Sequence, residues 1–174
     1  MAISSEKKRV YQGPVIFSYG FRPFFFFGAL WAAIAVPIWI ASYSLGNLGL
    51  PVKVGLAWHA HEMIFGYSSA VIAGFLLTAV PNWTGRSPIV GRSLFGLFLL
   101  WIAGRIGLLI DIKPDWMGQV LDSAFLIVFA ALVFREVIAG QNKRNVKIAF
   151  ILGLFALANA GFHLFQHFGW WSCK

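Results

Sequence analysis

The chain has 174 residues, 59% of them hydrophobic and 11% charged, with a mean hydropathy of +0.76 and a formal charge of +8. A soluble domain carries roughly 25% charged residues, so this composition cannot cover a globular surface and points to an integral membrane protein. The positive charge does not indicate nucleic acid, because the basic residues fall between apolar runs. The single cysteine, Cys173, excludes an internal disulfide and a cysteine-rich metal site.

A run of about 20 apolar residues crosses a bilayer core, which predicts five spans near residues 24–43, 56–80, 94–110, 116–134 and 146–168. The basic Lys7, Lys8 and Arg9 precede the first of them as in a signal peptide. That run is too long for a signal sequence and has no small-residue cleavage site after it, so it reads as an uncleaved span. Short connections carry Gly46-Asn47, Pro81-Asn82, Lys113-Pro114 and Gln141-Asn142. The expected fold is an all-α polytopic bundle, a single membrane domain over residues 1–174.

Loop charge predicts orientation. Lys7, Lys8, Arg9, Arg22, Arg86, Arg92, Arg135, Lys143, Arg144 and Lys147 fall on one side, against Lys53, Lys113 and Lys174 on the other. The positive-inside rule then puts the N-terminus in the cytoplasm. Trp58, Trp83, Trp116, Trp170 and Trp171 sit near span ends, where indole rings favour the interface.

With that orientation, His59, His61 and Glu62 open span two at its outer end, and His163 and His167 close span five at the same level. Arg105 and Asp122 flank the outer loop between spans three and four, each about 9 Å inward at 1.5 Å per residue. This agreement in depth argues for one site. At 100° per residue, His59, Glu62, Gly66, Ala70 and Gly74 share a stripe of span two, and Gly153, Ala156, Ala160, His163 and His167 share one of span five. The small residues admit a close neighbour, a second helix or a flat porphyrin. His61 falls off the first stripe, about 200° from His59, unless the helix starts late.

His163 and His167, at i and i+4, suit a shared metal ion, and Glu62 suits either ligation or the orienting of a histidine. Arg105 and Asp122 read as a structural ion pair between adjacent antiparallel spans. Arg22, before Pro23, reads as an interfacial anchor or a contact for an anionic group such as a heme propionate. Phe24 to Phe27 read as lipid-facing or packing surface.

Five segments bring a family into view: SYGFRPFF (Ser18 to Phe25), WHAHEMIFGY (Trp58 to Tyr67), AGFLLTAVPNWTGR (Ala73 to Arg86), WIAGR (Trp101 to Arg105) and ANAGFHL (Ala158 to Leu164). Together they resemble the NnrS family of bacterial inner-membrane proteins. The resemblance implies heme and copper as cofactors, nitric oxide or metal-nitrosyl species as partners, and a role in nitrosative stress. It implies His59, His61 and His163 as leading heme or copper ligands, with His167 behind them. It also implies a longer architecture, of which this chain is the N-terminal part, with GWWSCK after Phe168 an abrupt end. Missing later helices or a homo-oligomer would then complete the bundle. Two other readings stay open: a transporter or channel with a polar pathway of His, Arg and Asp, and an inactive truncated fragment.

Overall fold

The structure is a computed structural model that describes residues 11–45, 54–110, 112, 114 and 116–167, the side chain of His167 excepted. The basic run at Lys7 to Arg9, the loop residues Gly46, Asn47, Lys53 and Lys113, and the tail with Trp170, Trp171 and Cys173 lie outside the described residues. So does any statement about ligation by His167.

Among the described residues there are helices and no strand. Five helices are long and apolar enough to cross a membrane. We number them α1 (Phe21–Leu45), α2 (Leu56–Thr84), α3 (Arg92–Leu109), α4 (Trp116–Ala139) and α5 (Val146–His167). Each matches a predicted span to within about five residues at either end. Helix α2 stops where Gly85 takes the left-handed conformation (φ 68°) and its N–H closes on the Pro81 carbonyl at 2.9 Å.

Helix α2 is not uniform: its Glu62–Tyr67 segment is π-helical. A π segment holds one more residue than the α turn it replaces and retards the rotation of side chains about the axis. Side chains four apart would otherwise drift by about 40° per step. Here two columns stay buried across the segment, His61, Phe65, Ser69 and Ala73 beside Glu62, Gly66, Ala70 and Gly74.

Small residues set the helix spacings. Ala70 and Gly74 meet α1, where a Cβ on Gly74 would come within 2.6 Å of the Phe25 ring and one on Gly28 within 3.0 Å of the Ala70 methyl. Helices α3 and α4 touch backbone to backbone: a Cβ on Gly104 would lie 2.8 Å from Asp122 Cα, and one on Gly107 2.9 Å from Gly118 Cα. This close crossing sets Arg105 beside Asp122. Gly118→Leu is therefore expected to force the crossing apart and destabilise the protein by about 1–3 kcal/mol, read as a lower midpoint in unfolding by sodium dodecyl sulfate. An unchanged midpoint would show that the crossing can relax at no cost.

The core is aromatic. Phe24 is fully buried against Phe98, Trp101 and Phe125, and Phe125 stacks on Phe129 at 6.0 Å. Of the run at Phe24 to Phe27, then, Phe24 is core and Phe26 points outward. Outward Phe26, Phe150 and Leu157 are 61–69% exposed, which suits a surface solvated by lipid. At the end of the bundle that holds the N-terminus of α1, Arg86 and Arg135 both donate to Glu136, and Asn142 Nδ2 donates to the Trp83 carbonyl at 2.7 Å.

Candidate functional site

Near the opposite end of the bundle, all five helices contribute to one buried polar cluster. Trp31 comes from α1, His61 and Glu62 from α2, Arg105 from α3, Asp122 from α4, and Asn159 and His163 from α5. The charged and imidazole groups are sealed from the surface: Glu62 is 0% exposed, Arg105 and Asp122 1%, His61 2% and His163 5%. Polar groups survive at such depth in a membrane only when they satisfy one another.

Arg105 is the bridge. Its Nη1 donates to Glu62 Oε2 at 2.8 Å, and its Nη2 pairs with Asp122 Oδ1. Trp31 Nε1 donates to the same Glu62 oxygen at 2.6 Å. Trp101 Nε1 donates to the Gly66 carbonyl at 3.0 Å, inside the π segment.

The second oxygen of Asp122 faces the histidines. It accepts from His163 Nε2 and from Asn159 Nδ2, both at 2.8 Å, and lies 3.2 Å from His61 Nε2. Asn159 turns its carbonyl oxygen to His61 Nε2 at 2.8 Å. Carboxylate and amide oxygens only accept, so Nε2 carries a proton in both rings. His61 Nδ1 then lies 3.4 Å from Glu62 Oε1, and His163 Nδ1 is a buried nitrogen with no hydrogen-bond partner. The two rings are tilted, with centroids 4.7 Å apart. One ligand atom from each of His61, Asp122 and His163 falls within 4.8 Å of the other two.

Other expected site residues are elsewhere. His59, on α2, packs against α1, stacked on Trp39 at 4.0 Å and 10°, with its Nδ1 buried and unpartnered. Helical phase pairs His59 with Glu62 and turns His61 away; the π segment reverses this and brings His61 into the cluster. Arg22 donates to the Val15 carbonyl and Ser18 Oγ and lies over the Tyr19 and Phe21 rings. It precedes Trp31 by nine residues, about 14 Å along α1, so a propionate held by the clustered histidines does not reach it. The Arg105–Asp122 pair exists, but it is one edge of the histidine cluster, not a separate strut.

The profile described as NnrS protein matches residues 15–172 of this sequence. The chain belongs to the NnrS family. No match was found among curated proteins or among solved structures. NnrS membership points to a membrane protein of the nitric oxide response.

In this NnrS chain, sequence reasoning overlooked Asn159 and Trp31. Asn159 precedes His163 by one helical turn, and that i, i+4 spacing was the signal for it. Trp31 carried none, since a tryptophan in mid-span reads as apolar packing.

Proposed function

We propose that this NnrS-family chain is a copper- and heme-associated protein of the bacterial inner membrane, acting in nitric oxide metabolism and resistance to nitrosative stress. Copper would be held by His61, Asp122 and His163, on the outer side if the basic loops face the cytoplasm. The observation that carries this reading is the convergence of three buried ligand-type groups within 4.8 Å. Two imidazoles and a carboxylate form a donor set that suits copper, and the orphaned His163 Nδ1 marks a nitrogen with spare coordinating capacity.

Copper, when bound, supplies a centre to which nitric oxide can attach. The chain's own residues do the rest. Asp122 and Asn159 orient the imidazoles, Arg105 holds Asp122, and the aromatic wall of Phe65 and Phe162 against His61 excludes water. Nitric oxide is small and apolar and crosses lipid, so the site requires no charged entry.

A porphyrin does not fit between His61 and His163. With about 2 Å from iron to each nitrogen, the two ring centres would stand about 6 Å apart, whereas they are 4.7 Å apart. The lipid-facing groove between α4 and α5, about 380 Å³, is lined by Ile127, Phe134, Phe150 and other apolar residues and offers no imidazole. Among the described side chains, His59 is the histidine left for heme.

The test is metal analysis and an optical spectrum of the purified protein. We expect one copper per chain, lost in His61→Ala and His163→Ala and kept in His59→Ala, and a Soret band that only His59→Ala removes. Copper retained after removal of both His61 and His163 would exclude this ligand assignment.

A further inference from the structure

Helices α4 and α5 leave a groove on the lipid-facing surface that their own side chains do not fill. Small, buried Ala149 and Ala156 lie at its floor, and Phe134, Phe150 and Leu157, 49–69% exposed, stand at its edges. Along α5 the lining runs from Ala149 to Leu157, about 12 Å at 1.5 Å per residue. The hydrocarbon core is about 30 Å thick, so the groove matches about one leaflet, the reach of an acyl chain. A membrane-spanning helix would overrun it by more than its own length. The groove begins three residues inside α5, at the basic end of the bundle. Lys147 precedes Phe150 and Leu154 by three and seven residues, so the three share a face. Lys143 and Arg144 occupy the turn just before α5. All three cations are exposed, and the acidic side chain at this end among the described residues, Glu136, is already engaged by Arg86 and Arg135.

We propose that this groove binds an anionic phospholipid, with one acyl chain between α4 and α5 and the phosphate among Lys143, Arg144 and Lys147. An apolar slot that ends at three unneutralised cations is complementary to an amphiphile with an anionic head. Lysine and arginine bind phosphate by charge and by hydrogen bonds to its oxygens. A zwitterionic lipid brings its own ammonium to the same cations and is repelled by them, so the head group decides as well as the chain. The site lies toward the opposite end of the bundle from the histidine cluster and stands or falls independently of the metal reading.

The experiment titrates the full chain in nonionic detergent with phosphatidylglycerol or phosphatidylcholine of matched acyl chains and counts bound lipid by native mass spectrometry. The wild type is expected to retain one phosphatidylglycerol about tenfold more tightly than phosphatidylcholine, since each basic residue near an anionic lipid surface is worth about fivefold. Lys143→Gln/Arg144→Gln/Lys147→Gln is expected to bring the two lipids level. Arg92→Gln removes an exposed cation at the same end of the bundle, on α3, and is expected to leave the preference unchanged. A Cβ at Gly153 meets nothing within 4 Å, so Gly153→Leu enters the groove without strain. It is expected to keep the unfolding midpoint and to weaken both lipids about tenfold, the worth of roughly two buried methylenes. Gly96→Leu, equally open but on α3, is expected to weaken neither. If Gly153→Leu lowers the midpoint, Ala131→Leu on the α4 wall takes its place. Retention of neither lipid by the wild type, equal retention of both, or the same loss in Arg92→Gln as in the triple variant overturns the head-group site. Phosphatidylglycerol held undiminished by the groove-filling variant, or a wild-type dimer that this variant dissociates, takes the acyl chain out of the groove and overturns the proposal.

Discussion

Asp122→Leu is expected to cost about 3–5 kcal/mol of stability, the range for breaking a buried ion pair by removing one partner. Its carboxylate is the one acceptor that meets four groups: Arg105 on one oxygen, and Asn159, His163 and His61 on or near the other. Leucine fills the space but leaves Arg105 with only Glu62 and strands the His163 and Asn159 donors. Each stranded donor costs about 1–3 kcal/mol when nothing replaces its acceptor. Asp122→Asn keeps an acceptor oxygen and is expected to cost less. Arg105→Leu combined with Asp122→Leu should recover part of the loss, because removing both partners of a buried pair is far cheaper than removing one. The measurement is the midpoint of unfolding in sodium dodecyl sulfate, alongside copper content. If Asp122→Leu shifts stability by less than about 1 kcal/mol, the cluster is not the polar anchor of the bundle.

The spans were legible because a membrane asks one thing of a sequence, an apolar run of sufficient length, and each of the five runs ends in charge, Pro or Gly. The level of the site was legible for a related reason. An ionisable residue inside a span needs partners at its own depth, so Glu62, Arg105, Asp122 and His163 had to agree in height before any geometry was known. Which side chains meet was less legible, because it depends on phase about each axis. A constant 100° per residue cannot cross the Glu62–Tyr67 π segment, and so it favoured His59 over His61. The backbone contact between Gly107 and Gly118 was likewise hidden, since small residues on two helices do not show which of them face each other. Asn159 neither ionises nor stands out as a metal ligand, and only its spacing of one turn from His163 marks it.

Gly66→Ala tests whether that π segment serves the cluster. Alanine is the better helix former by about 1 kcal/mol, so propensity alone predicts a more stable protein. The space argues otherwise: a Cβ at Gly66 would collide with Arg105 Nη1 and come within 2.6 Å of Glu62 Oε2. A guanidinium at the end of a flexible side chain can usually step aside. Here it is 1% exposed and held on both sides, by Glu62 and by Asp122, so stepping aside parts a buried ion pair. Set against about 3–5 kcal/mol for such a break, the gain in propensity is the smaller quantity, and the expected net loss is about 2–4 kcal/mol. The Gly66 carbonyl also accepts from Trp101 Nε1 and Ser69 Oγ, both at 3.0 Å. The displacement should therefore reach the Trp101 indole and shift its fluorescence. Glu62→Gln reduces the hold on Arg105, so Gly66→Ala is expected to cost less in a Glu62→Gln background than in the wild type. Equal costs in the two backgrounds would mean that Gly66 answers to backbone packing alone and that the ion pair does not depend on it.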